Sequence, residues 1–65
     1  MRFEFLNDNQ KGQIEFLREL YKEEKDKRER KKYCFGITAY LAGLQDSGAI
    51  DGKQYRQLYN YCLLA

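Results

Sequence analysis

Several residue types that commonly carry chemistry are missing from this sequence or scarce in it. His, Pro and Trp are absent, and only two of the 65 residues are Cys. Without His, the chain lacks the side chain that titrates near neutral pH and most often acts as a general base. Two cysteines in one chain cannot supply the four ligands of a structural zinc site, and without a CxxC pair a site shared by two chains has little support. We therefore expect no enzymatic activity, no metal and no cofactor.

Long apolar runs and a strong charge of one sign are also missing. The first apolar stretch, residues 3–6, is interrupted by Glu4 and is too short for a signal peptide, and no run approaches a membrane span. The net charge of +2 does not by itself indicate nucleic acid or an anionic membrane. Lys and Tyr are frequent while Pro is absent. We expect a cytoplasmic protein, not bound to a membrane, of bacterial or phage origin.

The two cysteines, Cys34 and Cys62, are interpreted as reduced, buried thiols, because no secretion signal accompanies them. A regulatory disulfide between them is the alternative. The last four residues, Cys-Leu-Leu-Ala, also match the C-a-a-X prenylation pattern. Cys62 completes a helical apolar face, however, which favours the buried thiol.

Helical periodicity dominates the first half of the chain. After an alternating lead-in over residues 1–6, the sequence offers three N-cap candidates in a row, and then apolar residues spaced three and four apart: Ile14, Leu17, Leu20 and Tyr21. Eleven consecutive charged residues follow, at positions 22–32. Acids stand four residues before bases at three places there, which favours a solvated helix. We predict a long first helix, at about residues 8–30, with a charged C-terminal half.

A helical hairpin is predicted for the second half, from helices at about residues 32–46 and 51–63. Gly48 suits the left-handed residue that ends a helix, while Asp51 and Gln54 have the spacing of a capping box. Such a short connection makes the two helices antiparallel neighbours. Folding about Gly48 sets Leu41 near Tyr55 and Cys34 near Cys62. The predicted fold is all-α: one small three-helix domain over residues 1–65.

Apolar side chains left outside the predicted core indicate how the domain functions. They favour a non-enzymatic protein-interaction module, acting as a small regulator or adaptor, because uncovered aromatic and leucine side chains are typical of binding surfaces. We expect it to bind another protein or itself, as a homodimer. The candidate contacts are Phe16, Tyr33, Phe35, Tyr61 and Leu63.

An alternative hypothesis is a nucleic-acid-binding accessory protein. Basic residues along a helix can follow phosphates, and an adjacent aromatic can stack on a base. The candidate contacts are Lys27, Arg28, Arg30, Lys31 and Lys32. Interspersed acids reduce the charge of this run, so we rank this hypothesis second.

Overall fold

The fold is all-α, as predicted. The computed structural model describes residues 3–64. Helix α1 spans Asp8–Glu23, α2 spans Lys27–Asp46 and α3 spans Gly52–Tyr59, and α3 continues into a π-helical segment, Asn60–Leu64. Residues 3–64 contain no strand. Two residues of the predicted lead-in, Met1 and Arg2, and the last residue of the C-a-a-X pattern, Ala65, lie outside the described residues.

The start of α1 is set by local side-chain chemistry. Asn7 is the N-cap: its side chain accepts a hydrogen bond from the backbone N–H of Gln10, whose side chain accepts one from the Asn7 backbone. This reciprocal pair satisfies two N–H groups that the helix itself leaves unpaired. Leu6, just before the cap, is buried, and both Phe3 and Phe5 pack against the core. The aromatic side chains that precede α1 therefore contribute to the packing of the core.

The predicted extension of the first helix to residue 30 is wrong. Helix α1 ends at Glu23, and residues 27–32 belong to α2. The Glu24 carboxylate accepts from the backbone N–H of Lys25 and Asp26, and the Asp26 carboxylate caps α2. Such side-chain bonds to the backbone compete with helix formation. No buried apolar side chain stabilises a continuous helix here, so the acids divide the charged run.

The connection between α2 and α3 is a glycine-dependent turn, as predicted. Gly48 has a φ of +83°, its N–H donates to the Gln45 carbonyl, and the Ala49 N–H donates to the Leu44 carbonyl. This is the Schellman pattern, which satisfies carbonyls at the end of a helix. Asp51 then caps α3 through a complete capping box with Gln54.

The core draws on every helical segment. Helix α1 contacts both α2 and the π-helical segment, and α2 contacts α3. The buried side chains are Leu6, Ile14, Ile37, Leu41, Leu44, Ile50, Leu58 and Cys62. Both cysteines are free thiols, and Cys34 is only half-buried, outside this core. The antiparallel orientation of α2 and α3 stays a prediction. No helix within residues 3–64 is both long and apolar enough to cross a membrane.

Candidate interaction surfaces

A cluster of α1 side chains holds the π-helical segment in place. The Arg18 guanidinium lies 4.3 Å from the centroid of the Tyr61 ring, and Arg18 Nε donates to the Tyr61 carbonyl at 3.1 Å. The Tyr61 hydroxyl donates to Glu15 Oε1, and the Phe3 ring packs edge-on against the Tyr61 ring at 5.2 Å. Tyr61 is thus bound within its own chain on three sides.

Helix geometry explains why these groups meet. Glu15 and Arg18 are three residues apart on α1, so their side chains lie on the same side of the helix. Carbonyls in the last turn of a helix lack hydrogen-bond donors within the helix. Arg18 Nε donates to one of them, the carbonyl of Tyr61. The hydrogen bond to Glu15, followed by burial, raises the pKa of Tyr61 above its ordinary value. The phenol therefore stays neutral and keeps donating at physiological pH.

Removing the Arg18 cation should loosen this attachment. We expect Arg18→Met, which keeps most of the aliphatic stem, to lower the free energy of unfolding by about 1–3 kcal/mol through loss of the cation–π contact and a charged hydrogen bond. Urea denaturation followed by circular dichroism measures the change. Arg56→Met, on the exposed side of α3, is the control and should have little effect. Equal losses for both variants would contradict the assigned role of Arg18.

The five predicted contact residues fall into two groups. Phe16 and Phe35 are 59% and 63% exposed, on α1 and α2. Tyr33 is half-buried, as are Tyr61 and Leu63, which pack against the core. The structure therefore leaves Phe16 and Phe35 as the more accessible candidates for binding a partner.

Phe35 belongs to a continuous exposed strip along α2, which we call the outer face. Its members lie within about 60° of Ala39 around a helix of 3.6 residues per turn, and all are exposed: Arg28, Lys32, Phe35, Gly36, Ala39, Ala42, Gly43 and Asp46. The opposite side of α2 carries the buried Ile37, Leu41 and Leu44. Phe35 is the large apolar side chain of this face, and the small residues Gly36, Ala39 and Gly43 recur beside it every three or four positions.

The basic candidates are only partly available. Lys27, Arg28, Lys31 and Lys32 are exposed. The Arg30 guanidinium lies 4.4 Å from the centroid of the Tyr21 ring, and Arg30 Nε donates to the Tyr21 carbonyl at 3.2 Å. Lys32 Nζ pairs with Glu29 at 3.1 Å. Arg30 therefore ties the end of α1 to α2, a role that the sequence did not indicate.

A surface groove lies beside α3. It is lined by polar groups and two tyrosine rings, stacked with centroids 6.4 Å apart: Gln45, Gly52, Tyr55, Arg56, Tyr59 and Asn60. Among residues 3–64, no group of three or more His, Cys, Asp or Glu side chains is arranged to hold a metal ion. The exposed features of the surface are two phenylalanine side chains, a strip of small residues along α2 and a set of lysines and arginines.

Comparisons with protein-family models, with curated proteins and with solved structures find no match to this chain.

Proposed function

We propose that this chain is a small non-enzymatic protein-interaction module, a cytoplasmic regulator or adaptor that binds another protein or a second copy of itself. The observation that carries the proposal is the exposure of Phe16 and Phe35. The buried core formed by residues 3–64 does not include them, so neither fills it.

The energetics favour a partner that covers these rings. Burying a Phe side chain stabilises by about 1.5–3 kcal/mol relative to leaving it in water. Large aromatics at the centre of an interface commonly contribute most of its binding energy. The groups that hold Tyr61, by contrast, are satisfied within the chain. Phe16 and Phe35 are therefore the residues assigned to binding.

Serine substitutions test the assignment. The immobilised chain is used to capture proteins from its native host, alongside Phe16→Ser and Phe35→Ser variants, and self-association is measured by sedimentation equilibrium from about 1 μM to about 1 mM, the range of moderate to weak complexes. We expect a bound protein, or a dimer of the chain, that at least one of these variants loses. Both variants should stay folded because the rings are exposed.

The control is Gln57→Ser, on the exposed side of α3, which should bind as the unaltered chain does. A chain that is monomeric throughout, with no captured protein that distinguishes it from the serine variants, would overturn the proposal.

Nucleic-acid binding is the second candidate, favoured by the four exposed cations at the start of α2. Electrophoretic mobility shifts with single- and double-stranded nucleic acid test it. Because phosphate binding releases counterions, affinity should fall steeply between about 50 and about 200 mM salt. Lys27→Glu combined with Lys31→Glu should abolish the shift. Absence of nucleic-acid binding at low salt would contradict this hypothesis.

A further inference from the structure

Two glycines on the outer face of α2 have no explanation within this chain. Gly36 and Gly43 lie inside a 20-residue helix, where Gly destabilises relative to Ala. A Cβ atom built at either position meets no other atom within 4 Å. Packing inside the molecule therefore does not require glycine there. Close approach by a helix from another molecule would require glycine at these two positions.

The C-terminal end of α2 carries a charge that opposes the helix dipole. Asp26 and Glu29 suit the positive start of the helix, beside Lys27 and Arg28, but Asp46 ends it and the last turn has no basic residue. Basic side chains are the favourable ones at the end of a helix. A cation from a second α2 that runs antiparallel would supply the missing positive charge beside Asp46.

The same orientation matches side chains in size and charge. In an antiparallel pair centred on Ala39, each residue faces the one at an equal distance on the other side of the centre. Phe35 then faces the partner's Gly43, so a large ring meets a position without a side chain. Lys32 likewise faces the partner's Asp46. A parallel pair would instead set Lys32 against the partner's Lys32 and align the two dipoles.

From these three features we infer that the outer face of α2 binds the same face of a second copy of the chain, antiparallel and centred on Ala39. The inference rests on the proposed function and identifies the partner and the register. An isologous contact of this kind closes into a dimer with twofold symmetry, because both copies use the same face and none remains to bind a third copy.

Substitutions that improve the isolated helix but obstruct the interface give the sharpest test. Gly43→Gln introduces a better helix former, so the unfolding temperature of dilute monomer should rise by a few degrees. At the same time, the new side chain occupies the space assigned to the partner's Phe35. We expect the dimer dissociation constant, measured by sedimentation equilibrium, to rise at least about tenfold.

The matched control is Gly12→Gln in α1, where the glycine is also exposed and open but lies off the outer face. It should stabilise the monomer similarly and leave the dissociation constant unchanged. Loss of dimer in Gly43→Gln therefore cannot be attributed to unfolding.

Charge exchange tests the orientation. Asp46→Lys suits the helix dipole and yet should weaken the dimer severalfold, and more at low salt. Combining it with Lys32→Asp should restore affinity, because both antiparallel pairs are then re-formed with exchanged signs. A parallel dimer keeps like charges opposed, so absence of rescue would overturn the antiparallel register.

The outcomes separate this inference from the broader proposal. A dimer that Gly43→Gln leaves intact uses another surface and overturns the inference, while the interaction function stands. A chain that is monomeric at about 1 mM overturns the inference as well. The interaction function then depends on whether Phe16→Ser or Phe35→Ser abolishes capture of a host protein.

Discussion

Replacing Leu41 by Ala should remove a large share of the free energy of unfolding. The Leu41 side chain is completely buried, with 0% of its surface exposed. Truncating such a leucine costs about 2–5 kcal/mol, because the lost transfer energy is joined by the cost of the cavity. Folded chains have roughly 0.05–0.15 kcal/mol of stability per residue, so a chain of this length has only about 3–10 kcal/mol in total. One side chain therefore contributes on the order of half of it.

Urea denaturation followed by far-ultraviolet circular dichroism measures this loss. The matched control is Leu64→Ala, which deletes the same atoms from a side chain that is 71% exposed. It should change the free energy of unfolding by less than about 0.5 kcal/mol. Similar, small effects for both variants would mean that Leu41 is not at the centre of the core.

Features that depend on a few adjacent residues were predictable from the sequence. The left-handed Gly48 and the capping box of Asp51 with Gln54 involve residues within one turn of each other, and their physics does not depend on the rest of the fold. Helical periodicity likewise predicted that Leu41 faces inward from α2, where it is buried. It did so because burial repeats with the helical period.

The break within the charged run was harder to predict because opposing effects of similar size act there. Acid–base pairs four residues apart stabilise a helix by only about 0.2–0.5 kcal/mol each, and an aspartate N-cap contributes about 0.5–2 kcal/mol. The spacing from Asp26 to Glu29 is that of a capping box, and this was the signal overlooked. The Asp26 side chain does bond the Glu29 backbone.

The contact between Arg18 and Tyr61 was not predictable from one sequence. Arg18 and Tyr61 are 43 positions apart, and nothing in the pattern of either helix associates them. Tyr61 was therefore assigned to a partner, although its ring and hydroxyl are engaged within the chain. Exposure of Phe16 and Phe35, by contrast, followed from their places on the helical wheel.

The two thiols should differ greatly in their reactivity. Cys62 is 1% exposed within the core, whereas Cys34 is half-buried beside Tyr21 and Lys31. A thiol reagent reaches Cys62 only when the surrounding structure opens. If opening costs at least about 3 kcal/mol, the lower end of stability for a chain of this size, Cys62 reacts at least about 100-fold more slowly than an exposed thiol. Timed reaction with a disulfide reagent, followed by mass spectrometry of the peptides, measures both rates.

Burial also gives Cys62 a defined influence on stability at high pH. Desolvation raises the pKa of this thiol from its ordinary value of 9.0 to about 11. The folded chain therefore favours the neutral thiol, and this contribution to stability is complete below pH 9 and is lost as the pH rises to about 11.

Tyrosines and lysines titrate in the same range, so the unaltered chain is compared with the Cys62→Ala variant. The free energy of unfolding should fall more steeply with pH in the unaltered chain than in this variant. Parallel curves, or comparable reaction rates for the two thiols, would show that Cys62 is accessible to water in the folded chain.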